Sequence, residues 1–274
     1  MNILQSIIYG LISGLSEFLP ISLLGHQSLL KLLFGTSTEP FRDLLIHVSI
    51  LVAVLITNGT YINRLKRELK KNPKSRKRSR HEPDRYSYEF RLMKSSLLPM
   101  ILGVVLLKIW NISIVNFAVL AVFFIINGLL IYLAEHVPHG NKDGSKLSAF
   151  DGLLIGFSTS LSVLPGISRV GASMSCLLMR GADRNKSFNW ILVLTIPAMV
   201  LFIILDLISM ITVGFGSIGF AAILGYLLSA CFSFAAALGG IYLMRFLSVH
   251  AGYSVFAFYS WGTALLSFIL YLNV

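Results

Sequence analysis

Acidic residues are scarce in this chain. There are 12 Asp and Glu against 23 Lys and Arg, and charged residues of every kind fill only 13% of the 274 positions. A chain so poor in charge cannot clothe a water-soluble surface. Cysteine is nearly absent too. The two that occur, Cys176 and Cys231, lie in apolar segments, which excludes a disulfide framework. The opening M-N-I-L-Q has no basic stretch, and the apolar run behind it carries Glu17 and Pro20, so a cleaved signal peptide is not expected. What remains is hydrophobic: 55% of the residues, with a mean hydropathy of +0.78. That balance belongs to a polytopic membrane protein, here a single membrane domain over residues 1–274.

The net charge of +11 loses its nucleic-acid flavour once it is located. Residues 64–94 hold thirteen Lys or Arg and four acids, so nine of the eleven net charges sit in one loop. A reading module for nucleic acid needs a folded domain that this loop does not offer, and no nucleic-acid partner is expected. A loop of this kind, spanning 63–94, instead anchors the cytoplasmic face beside acidic headgroups.

Six stretches are long and apolar enough to cross a bilayer, near 44–62, 95–112, 116–135, 188–209, 219–245 and 253–273. Helix is the only type expected, because lipid tolerates no open strand edge. With the basic loop cytoplasmic, the polar segments near 136–146 and 180–186 and the pair Arg245 and His250 fall on the same side. The opposite loops, near 113–115 and 210–218, carry no charge.

Two further stretches do not fit as spans, and they echo each other. Gly10 to Gly25, G-L-I-S-G-L-S-E-F-L-P-I-S-L-L-G, aligns without a gap on Gly156 to Gly171, G-F-S-T-S-L-S-V-L-P-G-I-S-R-V-G, at an offset of 146 residues. Six of the sixteen positions are identical: Gly10/Gly156, Leu15/Leu161, Ser16/Ser162, Ile21/Ile167, Ser22/Ser168 and Gly25/Gly171. Each reads as a short apolar helix, a Pro/Gly/Ser break and a second short helix, over 3–18 and 24–34 in one case and 151–163 and 171–180 in the other. If each enters and leaves on its own side, three spans follow each in opposite senses. The expected fold is therefore all-α: six transmembrane helices plus two re-entrant helix hairpins in an inverted repeat, with halves of about 1–135 and 149–274.

One echo carries an acid, Glu17, and the other a base, Arg169. Ionisable groups in membrane segments are costly and by default functional and paired. Two readings follow: an ion pair that only ties the halves together, or a polar pocket in which Arg169 grips a phosphate oxygen with its planar fork and Glu17 holds a divalent metal or acts as a base. His26, next to Gly25 and near Glu17 and Ser22, is a candidate base or nucleophile. Ser22, Ser168 and Ser173 are hydroxyls beside the breaks, and the backbone N–H groups from Gly166 to Ser168 suit an anion. Asp206 reads as a hydrated residue near the outer end of its span, and Asp151 as the cap of the second entering helix. Tyr9, Trp110, Trp190 and Trp261 read as packing or interfacial residues.

At these residues the chain resembles the undecaprenyl-diphosphate phosphatase family of bacterial inner membranes, the bacitracin-resistance type. G-L-S-E-F-L-P-I-S-L-L-G-H looks like that family's acidic motif, and L-P-G-I-S-R-V-G-A-S like its P-G-x-S-R motif. L-L-I-G-F before the second motif and F-A-F-Y near residue 256 are similar as well. The resemblance covers nearly the whole length. It implies a multi-pass protein of the bacterial plasma membrane, often a homodimer, with a site open to the extracytoplasmic side. It implies hydrolysis of undecaprenyl diphosphate to undecaprenyl phosphate and phosphate, assisted by Mg²⁺ or Ca²⁺, in the recycling of the cell-wall lipid carrier. On the matching positions Glu17 is the acidic residue and metal ligand, His26 the catalytic imidazole and Arg169 the phosphate clamp, with Ser168 before it. The chain departs from the pattern at Ser13, where an acid or amide is usual, and at Leu23, Leu24 and Val170, where hydroxyls are usual. Those departures keep a second reading open: a non-catalytic relative that binds or translocates polyprenyl phosphates.

Overall fold

The computed structural model describes residues 1–70, 85–109, 115–138, 140–144, 146–213, 219–250 and 252–273. Part of the basic loop, from Lys71 to Asp84, and Trp110 lie outside the described residues. Those residues form ten α-helices and no strand: α1 (Ile3–Phe18), α2 (Leu23–Phe34), α3 (Pro40–Lys70), α4 (Arg85–Ile109), α5 (Phe117–Glu135), α6 (Ala149–Ser160), α7 (Arg169–Met179), α8 (Arg184–Val213), α9 (Phe220–His250) and α10 (Ser254–Leu272). Six of them, α3, α4, α5, α8, α9 and α10, are long and apolar enough to cross a membrane. Large apolar side chains such as Ile56, Leu106, Ile211 and Phe220 stand exposed on them, as the lipid-facing side of a helical membrane protein requires.

The four remaining helices form two helix–break–helix units, and local chemistry fixes both. Asn2 caps α1 through a reciprocal pair of bonds with Gln5. Pro20 pushes the preceding Leu19 into the extended region and stops the helix. Ser22 then caps α2 by accepting from the Gly25 N–H at 3.1 Å. In the second unit Ser148 rather than Asp151 is the N-cap of α6, and Asp151, at the third helical position, completes a capping box by accepting from the Ser148 N–H. A short 3₁₀ turn, Leu161–Val163, leads to the extended Leu164 before Pro165. Ser168 caps α7 by accepting from the Gly171 N–H at 3.1 Å. The two capping serines are one of the identical pairs in the echo.

The main helix pairs map onto one another when corresponding elements of the two halves are exchanged. α1 lies on α9 and α6 on α4, while α5 pairs with α10 and α3 with α8. Small residues permit the close approach that membrane helices need. A Cβ on Gly10 or Gly14 would overlap the α9 backbone at Ser229 and Ser233, and one on Gly156 would overlap the α4 backbone at Ser96. A Gly10→Val protein should therefore lose the α1–α9 seam. Its melting temperature in detergent should drop, by the equivalent of about 1–3 kcal/mol of overpacking or more.

The ends of the two units lie at opposite ends of the bundle. Near the start of α3, Lys31 from the end of α2 contacts Asp43 at 3.1 Å, and Arg42 reaches the Met1 sulfur at 2.8 Å. Near the end of α5, Arg184 contacts Glu135 at 2.6 Å, and Asp151 of α6 is paired with Arg180 at the end of α7. The first unit thus begins and ends at one level, and the second begins and ends at the other.

Candidate active site

The two breaks meet in the interior and are stitched to each other. The Gly166 N–H donates to Ser22 Oγ at 3.1 Å, and Ser168 Oγ donates to the Leu19 carbonyl at 3.3 Å. Asn127 of α5, fully buried, completes the seam. Its Nδ2 donates to the Pro20 carbonyl at 3.0 Å and to Ser260 Oγ of α10 at 2.9 Å, while its Oδ1 accepts from the Ser168 N–H at 2.8 Å. Ser22 sits at φ 76°, a region L side chains rarely adopt. The two N–H donors on its hydroxyl oxygen hold it there. Asn127→Ala should destabilise the protein by about 1–3 kcal/mol for each backbone group left unpaired, read as a lower melting temperature.

This stitching places the last turn of α1 against the first turn of α7, and with them Glu17 and Arg169. Arg169 Nη2 lies 2.8 Å from Glu17 Oε1, and both side chains are buried, at 4% and 1% exposed. The contact is an ion pair without hydrogen-bond alignment. Nε and Nη1 of Arg169 have no hydrogen-bond partner among the described residues. A guanidinium with donors to spare in a buried setting is a strong recipient for an anionic oxygen. The face of Phe202 lies 5.3 Å from its central carbon.

A small hollow beside the pair is lined by Glu17, His47, Ser162 and Arg169, with Leu23 and Leu24 on the α2 side. Leu24, His47 and Phe202 also border a larger polar cavity of about 220 Å³, which reaches past Lys31 and Asp43 to Asp206. The larger cavity lies at the end of α3 remote from the basic loop.

The other expected site residues are placed as follows. His26 is buried but borders neither cavity. Its Nδ1 is 2.8 Å from the Ser22 carbonyl and its Nε2 is 2.9 Å from the Tyr259 hydroxyl. Its ring meets Phe124 edge-on and stacks on Tyr259. The Gly166, Ile167 and Ser168 N–H groups donate to Ser22, Leu164 and Asn127 respectively. Ser173 shares a hydrogen bond of 2.9 Å with Thr159 of α6. Ser13, in the position of an expected acid or amide, accepts from Gln27 Nε2 at 3.1 Å. No three His, Cys, Asp or Glu stand together as a metal cage among the described residues.

One residue of this region, His47, has no counterpart in the sequence reading. His47 of α3 lies 2.6 Å, through Nδ1, from Oδ2 of Asp206 on α8. Asp206 does lie towards the far end of its span, but it is paired rather than merely hydrated. The rule that singles out Glu17, an ionisable group in an apolar segment, applies equally to His47.

Fold and site together define a helical membrane protein with an acid–base pair buried where two broken helices cross. Residues 6–266 match the family described as bacitracin resistance protein BacA, and the chain belongs to that family. It is similar to proteins named undecaprenyl-diphosphatase from Treponema denticola, 32% identical over 76% of this chain and 77% of that one, and from Carboxydothermus hydrogenoformans, 31% identical over 77% and 76%. An undecaprenyl-diphosphatase 3 from Bacillus cereus aligns over 98% of both chains at 29% identity.

Proposed function

We propose that this protein hydrolyses undecaprenyl diphosphate to undecaprenyl phosphate and inorganic phosphate, and so returns the lipid carrier of cell-wall synthesis to use. The observation that carries the reading is the buried Arg169 guanidinium, paired with Glu17 through one nitrogen and with two others unpartnered, in a small hollow that shares Leu24, His47 and Phe202 with a larger polar cavity. The family and the names of its relatives support the same activity.

In this reading Arg169 holds the terminal phosphoryl group in its fork and stabilises the charge that develops on it. Glu17 fixes the guanidinium and repels the product as charge accumulates. The attacking oxygen in this reading comes from water: Leu23 and Leu24 put no hydroxyl on the α2 wall of the hollow, and the Ser162 hydroxyl that also lines it donates to the Thr159 carbonyl. A Mg²⁺ or Ca²⁺ ion, which the family resemblance implies, would have the Glu17 carboxylate as its protein ligand and would supply charge neutralisation. Ser22, Gly166 and Ser168 act by holding the two breaks together, and Ser173 by fixing α7 on α6. His26 acts as the imidazole of the reaction only if it lets go of Tyr259; in its present place it ties α2 to α10.

The site is read as lying near the membrane midplane, in two re-entrant hairpins of an inverted repeat. The opposed levels of the two units and the matched helix pairs support that reading. With the basic loop cytoplasmic, the larger cavity opens on the extracytoplasmic side of a bacterial plasma membrane. The family resemblance adds a homodimer as the assembly. Purified protein in vesicles, given undecaprenyl diphosphate, should release phosphate. Movement of lipid across the vesicle membrane without phosphate release would instead establish a polyprenyl-phosphate carrier.

A further inference from the structure

His47 has two attachments and one open end. Nδ1 is held 2.6 Å from the Asp206 carboxylate, and the ring stacks on Phe202 at 5.4 Å between centroids. Nε2 has no hydrogen-bond partner among the described residues. With Nδ1 bonded to a carboxylate, the proton belongs on Nδ1 and the lone pair on Nε2. The imidazole borders both the hollow that contains Glu17 and Arg169 and the larger cavity, so it stands at the partition between them. The packing of α3 on α8 holds the two partners in place.

The other acceptor in the hollow is the Glu17 carboxylate, which the ion pair with Arg169 holds. The Ser162 hydroxyl donates to the Thr159 carbonyl at 2.8 Å. His26 has both ring nitrogens occupied elsewhere. We propose that His47 is the general base of the hydrolysis and that Asp206 is the residue that positions it. This rests on the phosphatase reading given above. As the water oxygen forms its bond to the terminal phosphorus, its proton passes to His47 Nε2. The bond between phosphorus and the bridging oxygen breaks, and its electron pair leaves with the lipid monophosphate. His47 then loses the proton to water in the larger cavity.

The test is phosphate release by the full-length protein from undecaprenyl diphosphate. His47→Gln should lower kcat by about 10²–10⁴-fold, the range of general acid–base catalysis, with KM unchanged. Asp206→Asn should give a smaller loss, also in kcat alone, and added imidazole should restore part of the rate of His47→Gly. A His47→Gln protein with wild-type kcat, beside an inactive Arg169→Ala protein, would overturn the proposal and leave the phosphatase reading intact. No phosphate release from the wild-type protein would overturn the phosphatase reading itself. If the variants fail to fold, the wild-type protein decides the matter. Diethyl pyrocarbonate should inactivate it as His47 is carbethoxylated, with inorganic pyrophosphate protecting both, as read by peptide mass mapping. Inactivation with His47 unmodified would overturn the assignment.

Discussion

An Arg169→Ala protein should release phosphate from undecaprenyl diphosphate about 10³–10⁵-fold more slowly than wild type, the scale on which a guanidinium assists phosphoryl transfer. Arg169→Lys should recover little, because an ammonium keeps the charge but loses the two-pronged donor geometry. The same alanine substitution leaves Glu17 buried without its partner, at 1% side-chain exposure. Breaking a buried pair from one side costs about 3–5 kcal/mol, so the melting temperature should fall as well. The double variant Glu17→Leu with Arg169→Met separates function from structure. Two apolar groups of similar size should restore most of the stability and none of the activity. A double variant that still released phosphate would reduce the ion pair to a mechanical tie.

Gly25 carries the second large effect. A Cβ there would lie 2.7 Å from the Gly166 nitrogen and 2.8 Å from its Cα, both backbone atoms of the opposite break. Nothing at that point can yield except the seam itself. Gly25→Val should force the breaks apart, lower the melting temperature by the equivalent of about 1–3 kcal/mol or more, and abolish activity by separating Glu17 from Arg169. Its echo partner Gly171 is less tightly held, with a Cβ 3.2 Å from Asn127 Oδ1 and 3.3 Å from the Pro20 Cβ. Gly171→Val should be the milder of the two when melting in detergent is compared.

Much of this arrangement can be read from residue order alone. Proline, glycine and serine announce both breaks, because each restricts or frees the backbone locally. Six apolar runs announce the spans because their length matches a bilayer. Glu17 and Arg169 stand out because charge is rare in such surroundings. The identical residues of the echo also acquire reasons: Ser22 and Ser168 cap the second helices, Gly25 and Gly171 face the opposite break, and Gly10 and Gly156 admit a neighbouring helix. What residue order hides is direction. His26 is close to Glu17 along the chain, yet α2 turns it towards Tyr259. His47 and Asp206 are separated by 159 positions and meet only because α3 packs on α8. Asn127 looks like an ordinary polar residue in a span until its three hydrogen bonds are seen to join both breaks to α10.

The central claim is that the terminal phosphate of the lipid binds where the two broken helices cross, on the free nitrogens of Arg169. An experimental structure with methylenediphosphonate bound tests it most directly. A phosphonate oxygen about 2.7–2.9 Å from Arg169 Nε or Nη1, with Glu17 and His47 bordering the same group, is the predicted result. A phosphonate bound elsewhere, with the Glu17–Arg169 pair closed and untouched, would contradict the account.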